Sequence, residues 1–340
     1  MNNYGKSINK KALQNVAVIG SGSWATALVK VFSESGTTVS WLVRDNQQAA
    51  AILANGRNPR YLSFATLRIS HICPSDNIED VLAKAELIIF ALPAAYLAAL
   101  INDIDPVLLE NKHLVASIKG FIPGTGSTPG NYLSRQLHTT NSPMVIAGPC
   151  HAEEIATGRE TYITIAVENT ELVNSICNSI TAPYIHTVAN SDPRGVEYVS
   201  ILKNIIGIAA GIAHGLNYGV NFQAVIVSNS MREIERFLNA VHPAERSLHQ
   251  SVYFGDLLAT AYSDFSRNRT LGNLIGRGMQ VNKALQSMAM IAEGYHASRE
   301  VSALVQDMGL SLPIINSTYR ILHQHATPFH EFKLLENQLS

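Results

Sequence analysis

Hydrophobic residues alternate between short strand-like runs and helical stretches in the first half of the chain. The apolar run Asn15–Gly20 predicts a buried parallel strand, and Trp24–Ser35 predicts a helix that Gly36 ends as a C-cap. A second strand is expected at Thr37–Val43. Similar short strands are predicted at Leu87–Leu92, His113–Ile118 and Met144–Ile146. Strands that alternate with helices indicate a parallel sheet with right-handed crossovers.

The pattern changes after about Arg194, where strand-like runs largely disappear. Helical periodicity is found in Val196–His214, Asn221–Leu238, Asn282–Met308 and Ile314–Gln324. We therefore expect an α/β fold of two domains that meet at the Asp192–Pro193 step. Residues 1–193 would form a Rossmann-type doubly wound sheet, and residues 194–340 an all-helical domain.

Composition and charge exclude several classes of protein. The chain has 340 residues, of which 46% are hydrophobic, and a net charge of −1, so it has no bulk attraction to nucleic acid or anionic membranes. Three scattered cysteines argue against a disulfide framework, and no spacing of histidines is typical of a metal site. The polar first residues, MNNYGKSINKK, lack a signal-peptide core, and the run from Leu87 to Ile101 is too short to span a membrane. A cytoplasmic protein without metal or membrane insertion is expected.

A glycine-rich loop joins the first strand to the first helix. Gly20 would permit the tight turn, Gly22 would let a pyrophosphate approach the backbone, and Ala25 is small enough for close helix–strand packing. An ordinary strand–helix turn is the alternative, but the position in the first βαβ unit favours a dinucleotide. Arg44 follows the second strand, where an arginine accommodates the 2′-phosphate of NADP. NADP(H) is therefore expected to be accepted, with NAD(H) not excluded.

Several separated segments resemble the NAD(P)-dependent glycerol-3-phosphate dehydrogenases over nearly the whole chain. They are GSGSWATAL at 20–28, KG at 119–120, GPCHAEEIA at 148–156, LKNIIGIAAGIAHGL at 202–216, FGDLLATAYSDFSRNRTLG at 254–272 and IAEGY at 291–295. The resemblance implies interconversion of dihydroxyacetone phosphate and sn-glycerol 3-phosphate, which supplies glycerophospholipid synthesis. It also implies a possible homodimer.

The resemblance also implies roles for individual residues. The catalytic residues would be Lys203, as general acid and base, with Lys119, Asn204, Asp256 and Thr260. Substrate would contact Lys119, Gly148, Cys150, Lys203, Asp256, Ser266, Arg267 and Asn268. The cofactor would contact Gly20, Gly22, Ser23, Trp24, Arg44, Lys119, Ala152, Arg267, Ile291 and Glu293. Cys150 replaces a small hydroxyl residue of the family, and HQSVYF before Gly255 replaces a glycine-rich segment.

The residue types suit reduction of a ketone. Hydride addition leaves an alkoxide that must be protonated, and a lysine can supply that proton if burial and neighbouring cations lower its pKa. Lys203 lies in an apolar helical stretch, Lys119 and Arg267 would add positive charge, and Asp256 would orient the amine. The alternative is a lysine that reaches from an amphipathic helix to water.

The SRNR segment at 266–269 predicts a helix start that binds phosphate. Ser266 can cap the helix, and Arg267 can clamp phosphate oxygens. A solvated helix start with surface arginines is the alternative.

Two other functions remain open. One is a related reductase of the 3-hydroxyacid or 6-phosphogluconate dehydrogenase type, and the other is a non-catalytic NAD(P)-binding sensor. The SRNR and GDLLAT segments argue against the first, and the joint presence of Lys119, Lys203, Asp256 and Arg267 argues against the second.

Overall fold

A computed structural model describes residues 13–137, 143–168, 172–288 and 290–340. The polar segment at residues 1–11, on which the expectation of no signal peptide rests, lies outside the described residues. The described residues form an α/β part followed by a helical part, which confirms the expected fold class.

One twisted sheet of eight strands organises the first half. Its strands are β1 (Asn15–Ile19), β2 (Thr38–Leu42), β3 (Ile72–Ser75), β4 (Leu87–Phe90), β5 (His113–Ala116), β6 (Met144–Ala147), β7 (Thr161–Ala166) and β8 (Ile185–Asn190). The order across the sheet is β3-β2-β1-β4-β5-β6-β7-β8. The direction of winding reverses between β1 and β4, and such a switch point opens a crevice at the carboxyl ends of the strands.

Seven α-helices accompany the sheet in the described residues of the first half. They are α1 (Ser23–Glu34), α2 (Asn46–Asn55), α3 (Ile78–Ala83), α4 (Ala94–Asp103), α5 (Pro129–Gln136), α6 (Ala152–Ala156) and α7 (Val173–Asn178). Alternate residues of β1 point to opposite faces of the sheet. Val16 and Val18 join the core on one face, and Ala17 and Ile19 join the core on the other. Both faces are therefore covered, as the continuous apolar run of β1 requires.

The sheet is parallel across all the predicted strands and departs from this arrangement at one edge. Strands β1 to β6 are parallel, but β7 runs antiparallel to β6, and β8 is parallel to β7. Only the short α6 segment lies between β6 and β7, so the chain returns in the opposite direction. Strands β3 and β8 were not predicted because their mixed burial leaves no continuous apolar run. Strand β7 is buried at five of its six positions, but Thr161 and Thr164 interrupt its apolar residues, so it was not predicted either.

The second half is helical in its described residues. The helices are α8 (Pro193–Gly215), α9 (Val220–Val241), α10 (Asp256–Tyr262), α11 (Arg267–Gly276), α12 (Val281–Ser287), α13 (Glu293–Asp307), α14 (Pro313–His323) and α15 (Pro328–Glu336). A π-helical turn, Ser251–Gly255, leads directly into α10. The single helix predicted at Asn282–Met308 is instead divided into α12 and α13. The backbone is already extended at Met288 and Ala292, the residues that flank the break.

Helix α8 is the central element of the molecule. Asp192 caps its first turn by accepting a hydrogen bond from the Gly195 N–H, and Pro193 occupies its first position. In the described ranges it is the helix that is long and apolar enough to cross a membrane, but 94% of its apolar window is buried inside the protein. Its environment is that of a core helix.

One hydrophobic core is shared by the two halves of the chain. Val145 and Ala147 of β6 and Phe121 belong to the same cluster as Val196 and Val199 at the start of α8. The end of the sheet is therefore packed directly against the helix that carries Lys203.

Candidate active site

The glycine loop has the shape that a pyrophosphate requires. Gly20 has φ +127°, and a Cβ atom there would lie 2.3 Å from the carbonyl oxygen of Ala91, so only glycine fits. Gly22 is the N-cap of α1, and no side chain caps this helix. Nothing lies within 4 Å of a Cβ built on Gly22. The loop and the uncapped N–H groups of α1 therefore fit the phosphates of a dinucleotide.

Trp24 lies between the glycine loop and Lys119. Its indole Nε1 donates a hydrogen bond to Ser117 Oγ at 2.8 Å, and Ser117 Oγ donates to the carbonyl oxygen of Ile146 at 3.0 Å. The Lys119 amine lies 5.5 Å from the centroid of the Trp24 ring. The stacked cation and ring hold Lys119 beside the cleft that follows β1 and β4.

Lys203 is buried on α8 and has two polar partners. Its side chain is 5% exposed, and Nζ donates hydrogen bonds to Asp256 Oδ1 at 2.5 Å and Thr260 Oγ1 at 3.0 Å. Both partners lie on α10, one turn apart. The alternative, a lysine that reaches to bulk water, is therefore wrong for Lys203. The second carboxylate oxygen of Asp256 is buried and has no hydrogen-bond partner among the described residues.

The pKa values of the two lysines diverge. Burial, reinforced by the charge of Lys119, lowers the pKa of Lys203 to about 8, although Asp256 opposes the change. Burial also lowers the pKa of Lys119, but Asp256 and the Cys150 thiol outweigh this, so that its net pKa is raised. Arg267 acts on the pKa of Lys119, whereas we had expected it to act on Lys203. Lys203 is therefore the amine that can exchange a proton near neutral pH, and Lys119 keeps its charge.

Glycines bring α11 close to α8. A Cβ atom on Gly211 would lie 2.1 Å from the carbonyl oxygen of Arg269, and one on Gly272 would lie 2.0 Å from that of Ile208. The two backbones are in contact at these points, which no larger residue allows. The first turn of α11 consequently lies beside Lys203 on α8.

The first turn of α11 carries the predicted phosphate-binding segment. Ser266 caps the helix by accepting a hydrogen bond from the Arg269 N–H at 3.3 Å. Arg267 is 36% exposed and is held only by a 3.5 Å contact with Glu153, while its Nε has no partner among the described residues. The Asn268 side chain accepts a hydrogen bond from the Gly294 N–H at 3.0 Å. The guanidinium of Arg267 therefore has donors available to an anion in the cleft.

Two further contacts join the halves of the chain across the cleft. Asn204, next to Lys203, donates from Nδ2 to the carbonyl oxygen of Lys119 at 3.0 Å. A Cβ atom on Gly120 would lie 2.8 Å from a carboxylate oxygen of Glu293, so the Glu293 side chain packs directly on this glycine. Burial raises the pKa of Glu293 to about 7, against the influence of Arg267.

The loop after β6 forms the wall opposite α10. Gly148 has φ +124°, and its carbonyl oxygen accepts a hydrogen bond from the Cys150 thiol at 3.0 Å. The Cys150 thiol thus makes its hydrogen bond within the loop, and burial raises the pKa of this thiol. Ala152 follows at the first turn of α6.

A cleft of about 900 Å³ collects almost all of the predicted site residues. Of these residues, only Asp256 and Gly148 do not line it. Asp256 lies behind Lys203, and Gly148 lies behind Cys150. The predicted residues that line the cleft are Gly20, Gly22, Ser23, Trp24, Arg44, Lys119, Cys150, Ala152, Lys203, Asn204, Thr260, Ser266, Arg267, Asn268, Ile291 and Glu293.

Other residues of the cleft were missed from sequence. Arg60 lies at the same end as Arg44 and pairs with Asp45 at 3.0 Å. Ser117 fixes Trp24, and Glu153 contacts Arg267. Arg60 stands in a segment without regular periodicity, so only its charge could have indicated a role. Within the described ranges, no group of three or more His, Cys, Asp or Glu side chains is arranged to hold a metal ion.

Comparisons with known proteins agree with this geometry. The family description "NAD-dependent glycerol-3-phosphate dehydrogenase N-terminus" matches residues 15–173, and the corresponding C-terminus description matches residues 192–332. A glycerol-3-phosphate dehydrogenase [NAD(P)+] of Clostridium botulinum is 32% identical over 316 residues, which are 93% of this chain and 95% of the relative.

Solved structures give the same result. A crystal structure of glycerol-3-phosphate dehydrogenase from Coxiella burnetii superposes with a TM-score of 0.89 at 25% identity, covering 95% of this chain and 98% of the other. A 3-hydroxyisobutyrate dehydrogenase from Salmonella typhimurium covers 91% of this chain and 93% of its own with a TM-score of only 0.53 at 10% identity, which shows likeness of fold alone. Matches to both halves in order, with a relative 32% identical across nearly the full length, show that the chain belongs to the NAD(P)-dependent glycerol-3-phosphate dehydrogenases.

Proposed function

We propose that this protein interconverts dihydroxyacetone phosphate and sn-glycerol 3-phosphate with NAD(P)H. The observation that carries the proposal is a buried lysine of lowered pKa, Lys203, which lines the same cleft as an uncapped glycine loop and Arg267, whose guanidinium makes one long contact with Glu153. An acid–base group, a dinucleotide site and an anion site are the three parts that the reaction requires. The names of the relatives in the family support the same substrate.

The cofactor would be held by residues of the first half. Gly20, Gly22 and the first turn of α1 would hold its phosphates, and Arg44 lines the end of the cleft where an adenosine 2′-phosphate would lie. When bound, the nicotinamide supplies the hydride in reduction and accepts it in oxidation. Arg44 and Arg60 together favour NADP(H), and NAD(H) is a second cofactor of the same site.

Lys203 would move the proton. As an ammonium it donates a hydrogen bond to the ketone oxygen and then gives its proton to the developing alcohol; as a neutral amine it takes that proton back in oxidation. Asp256 and Thr260 hold Nζ in place from one side. Lys119, with its raised pKa, stays cationic and stabilises negative charge on the substrate oxygens.

The first turn of α11 would bind the substrate phosphate. Arg267 offers unpaired N–H groups, Ser266 caps the helix, and the helix N-terminus adds partial positive charge. Asn204, Asn268, Gly148 and Cys150 would complete the substrate pocket, and Ser23, Trp24, Ala152, Ile291 and Glu293 the cofactor pocket.

Other properties of the protein are proposed on the family resemblance. They are the division into a cofactor domain at 1–193 and a catalytic domain at 194–340, a cytoplasmic location, a homodimer, and the supply of glycerol 3-phosphate for phospholipid synthesis. Sedimentation velocity on the purified protein tests the dimer directly.

Initial rates of NADPH and NADH oxidation test the proposed reaction. We expect reduction of dihydroxyacetone phosphate with NADPH or NADH. We expect no oxidation of 3-hydroxyacids in the reverse direction. In Lys203→Ala, kcat should fall by more than about tenfold, a barrier increase above ~1.4 kcal/mol, while NADPH binding measured by fluorescence remains. NADPH binding by the unaltered protein without any turnover would instead support a non-catalytic sensor.

A further inference from the structure

A π-helical segment of this chain leads directly to Asp256, the partner of Lys203. The π-helical turn Ser251–Gly255 ends where α10 begins, and Asp256 is the first residue of α10. A π-turn widens the helix and is often found at functional sites. The position of Asp256 therefore depends on what holds this turn in place.

Tyr253 anchors the turn from within. Its side chain is 1% exposed, and its hydroxyl donates a hydrogen bond to Asp192 Oδ2 at 3.0 Å. Just before the turn, Asn190 donates from Nδ2 to Gln250 Oε1 at 2.9 Å. Burial and the charge of Asp192 raise the pKa of Tyr253, so the hydroxyl stays protonated and remains a donor.

The acceptor, Asp192, also fixes the helix that carries Lys203. Its Oδ1 accepts a hydrogen bond from the Gly195 N–H at 2.9 Å and thereby caps α8. Its remaining contacts are with His242 Nε2 at 3.0 Å and Arg246 Nε at 2.7 Å. One carboxylate therefore joins the start of α8 to the segment that ends at Asp256.

We propose that Tyr253, held by Asp192, is a positioning residue that keeps Asp256 in contact with Lys203. Asp256 stands three residues after Tyr253, and the Asp256 Oδ2 atom has no partner of its own among the described residues. The contacts of Asp256 Oδ1 with Lys203 are therefore not backed by a second hydrogen bond on the carboxylate. A shift of the π-turn would be transmitted to that contact.

The inference rests on the proposed role of Lys203 in catalysis. The ionisable groups that act on Lys203 are Asp256, Lys119 and Cys150, and Lys203 in turn acts on His151. Of these, Asp256 alone follows the π-turn in the chain. If the carboxylate moves away, the ammonium of Lys203 loses its stabilising partner and its pKa falls.

The test compares Tyr253→Phe with Tyr218→Phe. Both substitutions remove a tyrosine hydroxyl that donates to a carboxylate, but Tyr218 donates to Glu336, outside the cleft. In Tyr253→Phe we expect kcat for reduction of dihydroxyacetone phosphate to fall roughly ten- to hundredfold. The alkaline limb of the pH–kcat profile should move to lower pH by at least about half a unit. In Tyr218→Phe, both KM and the alkaline limb of the pH–kcat profile should stay near those of the unaltered protein.

Two further measurements separate positioning from a loss of stability. When Asp256→Asn already removes the carboxylate, adding Tyr253→Phe should shift the limb no further, whereas a merely structural role would give additive effects. A crystal structure of Tyr253→Phe should show the Lys203 Nζ–Asp256 Oδ1 distance beyond about 4 Å, which needs no turnover. An unchanged distance and an unchanged limb would overturn the inference. Absence of turnover in the unaltered protein would instead refute the proposed function.

Discussion

The contact between α8 and α11 allows a prediction in which two physical effects have opposite signs. Alanine is a better helix former than glycine by about 1 kcal/mol, so propensity alone predicts that Gly272→Ala stabilises the protein. In the structure, however, the new Cβ would lie 2.0 Å from the Ile208 carbonyl oxygen and 2.8 Å from the Ile212 nitrogen. Both obstacles are backbone atoms, which cannot rotate away.

The size of the effect follows from the separation that the helices would need. Ordinary contact of a Cβ with oxygen begins at about 3.4 Å, so the new Cβ and the Ile208 carbonyl oxygen must part by about 1.4 Å. Overpacking of this kind costs about 1–3 kcal/mol and often more against backbone, which outweighs the gain in propensity. We expect a net loss of about 2 kcal/mol, or about 3 °C in Tm for a cooperative unit of this length.

Activity should fall with stability, because α11 carries Arg267 and α8 carries Lys203. A displacement of about 1 Å between them should lower kcat/KM by up to about a hundredfold at a temperature where the variant is folded. Gly219→Ala is the control, since a Cβ there meets nothing within 4 Å. Thermal unfolding followed by circular dichroism measures both variants. A Tm for Gly272→Ala equal to or above that of the unaltered protein would refute the steric argument.

Three other predictions follow from the contacts of the site and the core. Arg267→Ala should raise KM for dihydroxyacetone phosphate at least about tenfold, measured by initial rates, because the remaining N–H groups cannot replace a bidentate clamp; an unchanged KM would remove Arg267 from the phosphate site. Since the pKa of Lys203 is lowered to about 8, reduction should lose rate as pH rises through about 8, and oxidation should gain rate over the same interval; profiles that move in the same direction would contradict this assignment. Glu233 accepts hydrogen bonds from the N–H groups of Ile314 and Ile315 at 2.6 and 3.1 Å; Glu233→Ala should therefore lower the free energy of unfolding by about 2 kcal/mol in urea denaturation, with Glu233→Gln less affected.

The sequence predicted the cofactor loop better than it predicted the sheet. The run at 16–19 is apolar throughout because β1 is covered on both faces, and Gly20, which follows it, has a distinct steric reason. Strand β8 has exposed residues at several positions, so neither apolar continuity nor alternation identifies it. Its pairing with β7, and the antiparallel direction of β7, depend on contacts distant in sequence.

The environment of the acid–base group, Lys203, also could not be predicted from the local sequence pattern. The amine of a lysine in an apolar helix can either reach water or pair with a buried acceptor. The periodicity of the sequence does not decide this choice. The choice is made by Asp256 and Thr260, which lie 53 and 57 residues further along the chain. Only the family resemblance joined these positions before the structure did. Arg60 lies outside the segments that resemble the family, and the local sequence pattern alone did not identify it.

The core that β6 shares with α8 has a consequence for how the protein unfolds. Cutting the chain between Asp192 and Pro193 would leave Val145 and Ala147 on one fragment, and Val196 and Val199 on the other, without their packing partners. Each fragment would expose a contiguous apolar surface and tend to aggregate when produced alone. Calorimetry of the intact chain should accordingly record a single cooperative heat-absorption peak, although the sequence divides into two regions.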